Sequence, residues 1–152
     1  MDQQQVKSCL KQKCQDYIDE RLLRIKGTIS DIQESLTSET KSTAGDKHET
    51  GRAMLQLERE KAGAQLAEVE KLQTALHKVE TSKKYNTAVL GSIVRCTTAN
   101  YYISISAGAI ICNSETFFAI APNTPIGKLI LGKKQKDVIH FNGKEIVIEE
   151  IL

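Results

Sequence analysis

The fold is decided at Thr43-Ala44-Gly45-Asp46-Lys47-His48-Glu49, where one long amphipathic segment ends and another begins. Apolar residues recur at steps of three and four from about Gln4 to Thr40 and again from about Asp46 to Ser82. This spacing predicts two uninterrupted helices of roughly 50 Å each, at about 1.5 Å per residue. Because a short connection favours antiparallel neighbours, we predict an antiparallel coiled-coil hairpin over residues 1–83, with its tip near residues 42–50.

The second half of the chain has short runs rich in Ile, Val, Tyr and Phe, separated by Thr, Asn, Ser and Gly. Such runs indicate strands, which we place at residues 88–96, 101–106, 109–112, 117–121, 137–141 and 144–152. Asn142-Gly143 is a strong signal for a two-residue hairpin turn. Thr124 is a candidate N-cap for a short helix that has Pro125 at its first position. We therefore predict an α+β chain in which residues 84–152 form a small antiparallel sheet with one short helix.

Asp46 and Glu49 are the candidate functional residues at the predicted tip. Their i, i+3 spacing places both carboxylates on one helix face and also fits a capping box at a helix start. A capping residue still presents one edge of its carboxylate, and two carboxylates can share a Mg²⁺ that takes its other ligands from water or phosphate. Two carboxylates alone make a weak site, so we expect no tightly bound cofactor.

Cationic residues surround this acidic pair. Lys41, Lys47 and Arg52 could meet phosphate or an acidic protein surface, and a solvated, charged tip explains them equally well. His48 could transfer a proton near neutral pH, although a solvated tip residue needs no such role. A second group of lysines lies near the predicted short helix, at Lys128, Lys133, Lys134 and Lys136. A solvated basic face explains this group as well as a contact with a partner does.

The composition argues against several other classes of protein. The net charge of +2 is close to balance, so a chain-wide nucleic-acid surface is not expected. The N-terminus lacks an apolar signal segment, and no apolar run approaches the roughly 20 residues that span a bilayer. None of the four cysteines forms Cys-x-x-Cys, so we expect reduced thiols in a cytoplasmic protein. The three histidines are too scattered to indicate a zinc site.

The C-terminal half contains Asn123-Thr124-Pro125-Ile126-Gly127-Lys128-Leu129-Ile130-Leu131-Gly132-Lys133-Lys134-Gln135-Lys136-Asp137-Val138-Ile139. This run resembles Ser-Pro-(Ile/Leu)-Gly-(Lys/Arg)-Ala-Leu-(Leu/Ile)-Gly-Lys-Lys-x-Gly-Asp-x-Val in the bacterial transcription factors GreA and GreB. The start of their C-terminal domain is similar to Val89-Leu90-Gly91-Ser92-Ile93-Val94. The resemblance covers residues 89–152 and implies a coiled-coil hairpin followed by an FKBP-like α+β domain.

The predicted tip also resembles this family, whose Gly-Asp-x-(Ser)-Glu pattern is similar to Gly45-Asp46-Lys47-His48-Glu49. In the family, the hairpin enters the secondary channel of RNA polymerase, and the tip Asp and Glu help hold a second Mg²⁺. The polymerase then hydrolyses the 3′ end of a backtracked RNA. The resemblance implies these roles for Asp46 and Glu49, with Mg²⁺ shared with the polymerase as the only metal.

The resemblance has further consequences for partners. It implies that the chain is an accessory factor rather than an enzyme, and that its partners are RNA polymerase and the 3′ end of nascent RNA. We also expect a monomer, and the lack of a long apolar run leads us to expect no membrane partner. In this family the C-terminal domain docks on the rim of the channel, which makes Lys128, Lys133 and Lys134 candidate partner-binding residues. At the tip, the candidate partner-binding residues are Lys41, Lys47, His48 and Arg52.

The chain departs from the family pattern beside the acidic pair. Thr50-Gly51-Arg52-Ala53 stands where the family has Asn-Ala-Glu-Tyr, and His48 stands where Ser is usual. These departures favour an alternative function, a channel regulator that does not stimulate cleavage. A non-transcriptional coiled-coil adaptor is a further alternative. FKBP-like domains can also be peptidyl-prolyl isomerases, which the absence of Trp disfavours here.

Overall fold

The structure is a computed structural model that describes the backbone of residues 1–41 and 45–152 and the side chains of residues 1–38 and 50–152. The chain divides into two compact units. The sheet unit comprises Met1–Tyr17 and Thr74–Leu152, and the hairpin unit comprises Ile18–Gln73. The predicted domain boundary between residues 83 and 84 stays a prediction.

Two long helices form the predicted helical hairpin: α1 spans Gln3–Lys41 and α2 spans Gly45–His77. Within the hairpin unit, the buried residues repeat at intervals of seven, which is the spacing of a coiled-coil seam. They are Ile18, Ile25 and Ile32 on α1, and Ala62 and Val69 on α2. The predicted hairpin is therefore confirmed, and each helix of this unit buries a single aliphatic stripe.

A side-chain cap begins α1 and a tightened backbone turn ends α2, and both of these helix ends lie in the sheet unit. At the start of α1, Asp2 Oδ1 accepts a hydrogen bond from the Gln5 amide at 2.8 Å, and Gln5 Oε1 accepts one from the Asp2 amide at 2.9 Å. This reciprocal pair is a capping box. Helix α2 ends at His77 rather than near residue 82, because the Lys78 and Val79 amides bond to carbonyls three residues back and tighten the last turn.

A six-stranded sheet and one short helix make up most of the sheet unit. The strands are β1 (Ile93–Cys96), β2 (Asn100–Ile103), β3 (Gly108–Cys112), β4 (Glu115–Ile120), β5 (Val138–Phe141) and β6 (Lys144–Ile151). Helix α3 spans Pro125–Ile130. The strand order is β3-β4-β2-β1-β6-β5. The predicted α+β fold is confirmed, including a positive-φ turn at Asn142 and Gly143 between β5 and β6.

The sheet is mixed rather than wholly antiparallel. Strand β4 lies beside β2 in parallel register, with Asn100 opposite Phe117 and Ile103 opposite Ile120. The β3–β4 hairpin folds back so that β4 lies next to β2 and β3 forms the edge. Hydrogen bonds from the Ser104 and Ala107 amides to the carbonyls of Ile120 and Ala119 fix this return. The predicted strand boundaries alone do not indicate which strand of the β3–β4 hairpin pairs with β2 and which forms the sheet edge.

Both faces of the sheet are packed at its centre, whereas Ile111 and Phe118 at the β3–β4 end are exposed. One face packs under α3 in a cluster formed by Ala88, Val94, Cys96, Ile103, Ile130, Ile139, Ile146 and Ile148. The other face receives the first turns of α1, where Cys14 Sγ lies 3.6 Å from Ser104 Oγ. Tyr102 and Phe117 are fully buried as well. Helix α1 is therefore an integral part of the sheet unit's core as far as Tyr17.

The cysteine prediction is wrong for two of the four thiols. Cys9 of α1 and Cys112 of β3 form a disulfide with a Cα–Cα distance of 6.3 Å, and Cys14 and Cys96 are free and buried. The paired residues lie 103 positions apart, so only the packing of α1 against β3 brings them together. Sequence spacing carries no signal for such a pair.

Candidate functional site

The acidic pair belongs to the first turns of α2. Asp46 and Glu49 are the second and fifth residues of this helix, which begins at Gly45. Their side chains, and those of Lys41, Lys47 and His48, lie outside the described residues. The predicted capping box and the predicted metal and partner contacts of these five residues therefore stay predictions. Arg52, one turn further along α2, is exposed.

The short helix α3 is built by the residues that predicted it. Thr124 Oγ1 accepts a hydrogen bond from the Gly127 amide at 3.1 Å and donates one to the Ala121 carbonyl at 2.8 Å. Pro125 occupies the first turn. A side chain at Gly127 would place its Cβ 2.3 Å from the Ala121 carbonyl oxygen, so only glycine fits here. The Thr-Pro-x-Gly pattern is thus a steric requirement of this turn.

The lysine segment, residues 132–137, follows α3 and is fixed by its backbone. The Gly132 amide donates to the Ala88 carbonyl at 2.8 Å, and the Lys133 carbonyl accepts from the Ala88 amide at the same distance. Further along, the Lys136 amide donates to the Ile148 carbonyl at 2.7 Å. Asp137 closes the turn, because its Oδ2 accepts from the Lys134 amide at 2.8 Å.

The lysine segment and α3 both display cations. The side chains of Lys128, Lys133, Lys134 and Lys136 are all exposed, as the predicted basic group requires. Lys136 has a φ of 77°, a left-handed conformation that a non-glycine residue adopts at some cost. The GreA and GreB pattern has glycine at this position. The turn therefore carries a charge at this position, which adds to the exposed basic surface on a backbone held by hydrogen bonds.

Two lysines of α1 have a structural role that the sequence did not reveal. Lys7 Nζ donates to the Lys83 carbonyl and Lys11 Nζ to the Val79 carbonyl, both at 2.7 Å. Lys7 is 1% exposed, and its ammonium lies 4.6 Å from the centre of the Tyr85 ring. Burial lowers the pKa of Lys7 from 10.5 to about 8. Both lysines hold the segment after α2 against α1, within the sheet unit.

In the part of the chain that the structure describes, no group of three or more His, Cys, Asp or Glu side chains could hold a metal ion. Within that same part, none of the helices has an apolar stretch of the length needed to cross a bilayer.

The described residues define a helical-hairpin protein with an α+β sheet unit and an exposed basic segment. No protein-family model and no curated protein matches the chain. Among solved structures, the chain is similar to one described as "Structure of the transcription factor Gfh1". The two share 16% sequence identity over 93% of this chain and 92% of the other, with a TM-score of 0.34. At this identity and TM-score the likeness does not establish a shared function.

Proposed function

We propose that this chain is a GreA/GreB-like factor that binds RNA polymerase, inserts the α1–α2 hairpin into the secondary channel and stimulates cleavage of backtracked RNA. The observation that carries the proposal is the position of Asp46 and Glu49 at the start of α2. This helix has 33 residues, or about 50 Å at 1.5 Å per residue. A hairpin of this length can carry two carboxylates into a deep channel while its base stays outside.

The surface of the hairpin unit supports this role. Beyond its aliphatic stripe, the unit exposes most of its described side chains, including Leu23, Met54 and Leu57. Such an arm does not need a second layer over it, and it can enter a channel without unfolding. The polymerase would hold the Mg²⁺, to which Asp46 and Glu49 would add carboxylate ligands. The ion would supply Lewis-acid activation of water and of phosphate at the RNA 3′ end.

The sheet unit supports docking outside the channel. Lys133, Lys134 and Lys136 of the lysine segment are exposed on a backbone that is hydrogen-bonded to Ala88 and Ile148, and Lys128 of α3 is exposed as well. Because hydrogen bonds already hold this backbone, binding to an acidic surface would restrict the lysine side chains and little else. We assign this segment to contact with an acidic rim of the polymerase.

The alternative is a channel regulator that does not stimulate cleavage. The observation that favours it is the exposed Arg52, which lies three residues after Glu49 on α2. A guanidinium one helical turn from Glu49 can bind the same phosphates that the Mg²⁺ would bind. Its positive charge also offsets the negative charge of Asp46 and Glu49. In that case the tip would block the channel rather than supply metal ligands.

A cleavage assay on purified backtracked polymerase complexes tests the proposal. We expect the wild-type protein to accelerate loss of the RNA 3′ end in the presence of Mg²⁺. We expect Asp46→Asn and Glu49→Gln each to reduce that rate by about 100-fold, because a lost ligand removes a few kcal/mol of stabilisation. Asp31→Asn, at an exposed position of α1, is the matched control and should leave the rate unchanged.

The same assay separates the alternatives. Binding to polymerase without added cleavage, combined with slowed nucleotide addition, would favour the channel regulator, and Arg52→Glu should then relieve the inhibition. Failure to bind polymerase at all would overturn both readings and leave the coiled-coil adaptor.

A further inference from the structure

The Cys9–Cys112 disulfide joins the first turns of α1 to the edge strand β3, both within the sheet unit. Cys112 is 2% exposed, and it is the last residue of β3 before the turn at Asn113 and Ser114. Cys9 is only half-buried on α1. A soluble thiol can therefore reach the sulfur of Cys9 more easily than that of Cys112.

The other two cysteines lie in different environments. Cys14 is fully buried beside Ser104, and Cys96 is in the core cluster under α3. Burial raises the pKa of the Cys14 thiol, and burial together with Glu149 raises the pKa of the Cys96 thiol to about 11. Because the thiolate is the reactive form, both are poor partners for exchange. Redox chemistry in the native protein is thereby confined to the Cys9–Cys112 pair.

We propose that Cys9 and Cys112 form a reversible redox link that the thiol–disulfide pool of the cell opens and closes. The step rests on the proposed function, since a polymerase-binding factor works where small thiols keep cysteines reduced and where disulfides are transient or redox-sensing. A small-molecule thiolate attacks Cys9 Sγ, the Cys9–Cys112 bond breaks, and Cys112 leaves as a thiolate that takes a proton. A second thiol releases Cys9, and the two small thiols leave as a disulfide.

The open form remains folded, because non-covalent contacts also hold the first turns of α1. Lys7 and Lys11 still donate to the carbonyls of Lys83 and Val79, and Leu10 and Cys14 are fully buried. Opening removes a cross-link between residues 103 positions apart. A cross-link over a loop this long constrains the unfolded chain strongly, so its loss should lower the Tm by on the order of 10 °C. The link therefore sets how firmly α1 is held to β3.

The experiment equilibrates the purified full chain in glutathione buffers from fully reduced to fully oxidised. Samples are quenched with acid, denatured and alkylated, and the free thiols are counted by intact mass. We expect a single reversible transition from four thiols to two, with protection of Cys9 and Cys112 by peptide mapping. The Tm should fall by on the order of 10 °C across the same transition. Cys9→Ser should abolish the redox dependence of the Tm, whereas Cys96→Ser should retain it.

Two results would overturn the proposal. Four free thiols at every glutathione ratio would mean that the bond does not form in solution, and a bond that survives excess glutathione would be a permanent structural link. Neither outcome depends on polymerase. A normal redox transition without any polymerase effect would refute the proposed function alone, and polymerase stimulation with a permanent bond would refute only the redox link.

Discussion

The hairpin unit and the sheet unit are stabilised in different ways. The described core of the hairpin unit is a seven-residue repeat of aliphatic side chains, and most of its other described side chains are exposed. The sheet unit packs both faces of its central strands, contains a buried lysine and tyrosine, and is cross-linked by a disulfide. The core of the hairpin unit fixes the identity of the residues in one stripe only, and the rest of its surface can contact a partner. The core of the sheet unit depends on specific hydrogen bonds and close contacts, which suit a domain that presents a fixed surface.

The largest expected contrast involves two glycines, one in each unit. Gly127→Ala should destabilise the protein by about 3 kcal/mol or more, because its Cβ would overlap the Ala121 carbonyl and Thr124 Oγ1. Gly27→Ala should stabilise it by about 0.5–1 kcal/mol, because no atom lies within 4 Å of the new Cβ and alanine favours the helix. Urea unfolding of both variants measures the difference. Equal changes in the free energy of unfolding for the two variants would contradict the expected difference between the units.

The pH dependence of stability should reveal the buried lysine of the sheet unit. Since burial lowers the pKa of Lys7 from 10.5 to about 8, the cation is disfavoured in the folded state. Below about pH 8 both states are protonated and the penalty is constant. Between about pH 8 and 10.5 the unfolded state holds more protons, so the free energy of unfolding should rise with pH by roughly 1–3 kcal/mol.

Lys7→Met tests this assignment, since the variant keeps a long unbranched side chain and has no titratable group. Urea unfolding across the same pH range should lose the rise with Lys7→Met and keep it with the exposed Lys26→Met of the hairpin unit. A rise that survives in Lys7→Met would assign the effect to another group.

A surface ion pair should give a smaller effect. Arg95 donates to Glu115 and also approaches Glu150 at 3.7 Å, with the Glu115 side chain 39% exposed. The hydrogen bond from Arg95 lowers the pKa of Glu115, so its contribution is present at neutral pH and is lost as the pH falls through that lowered pKa.

Solvent screening limits the loss in Glu115→Gln to about 1 kcal/mol at pH 7. The difference from wild type should shrink in acid. Glu68→Gln, at an exposed site of α2, should change stability by less than about 0.5 kcal/mol in thermal or urea unfolding. A loss in Glu115→Gln that is independent of pH would contradict the ion pair.

The smallest effect is expected at Tyr102. Its hydroxyl is buried without a hydrogen-bond partner among the residues that the structure describes, and burial raises the pKa of this phenol strongly. Removing an unpaired buried hydroxyl should be neutral or slightly stabilising, so Tyr102→Phe should stay within about 1 kcal/mol of wild type in urea unfolding. A clear loss of stability would show that an ordered water bonds this hydroxyl.

The same contrast explains what could be predicted from the sequence. The spacing of Ile18, Ile25 and Ile32 predicts the hairpin, because the apolar residues that a helix buries against its partner recur at the helical period and can be read from the sequence. Thr124-Pro125 and Asn142-Gly143 predict α3 and the last turn, since each signal acts over a few residues.

The remaining features depend on contacts between distant segments. The parallel pairing of β2 with β4, the Cys9–Cys112 bond and the burial of Lys7 arise from segments that meet only in the folded sheet unit. For the candidate site, the sequence predicted the exposed lysines and not the backbone bonds that fix them. The left-handed conformation of Lys136 likewise has no local signal.

Competition on backtracked polymerase tests the central claim most directly, since the two units are assigned different tasks. A protein carrying both Asp46→Asn and Glu49→Gln should bind polymerase as well as wild type, because its sheet unit is unchanged. Added at increasing concentration, it should suppress the RNA cleavage that wild type stimulates, with half-suppression near an equimolar ratio. If the double variant fails to suppress cleavage, the assignment of docking to the sheet unit is contradicted. If it stimulates cleavage as strongly as wild type, the assignment of metal ligation to the acidic pair is contradicted.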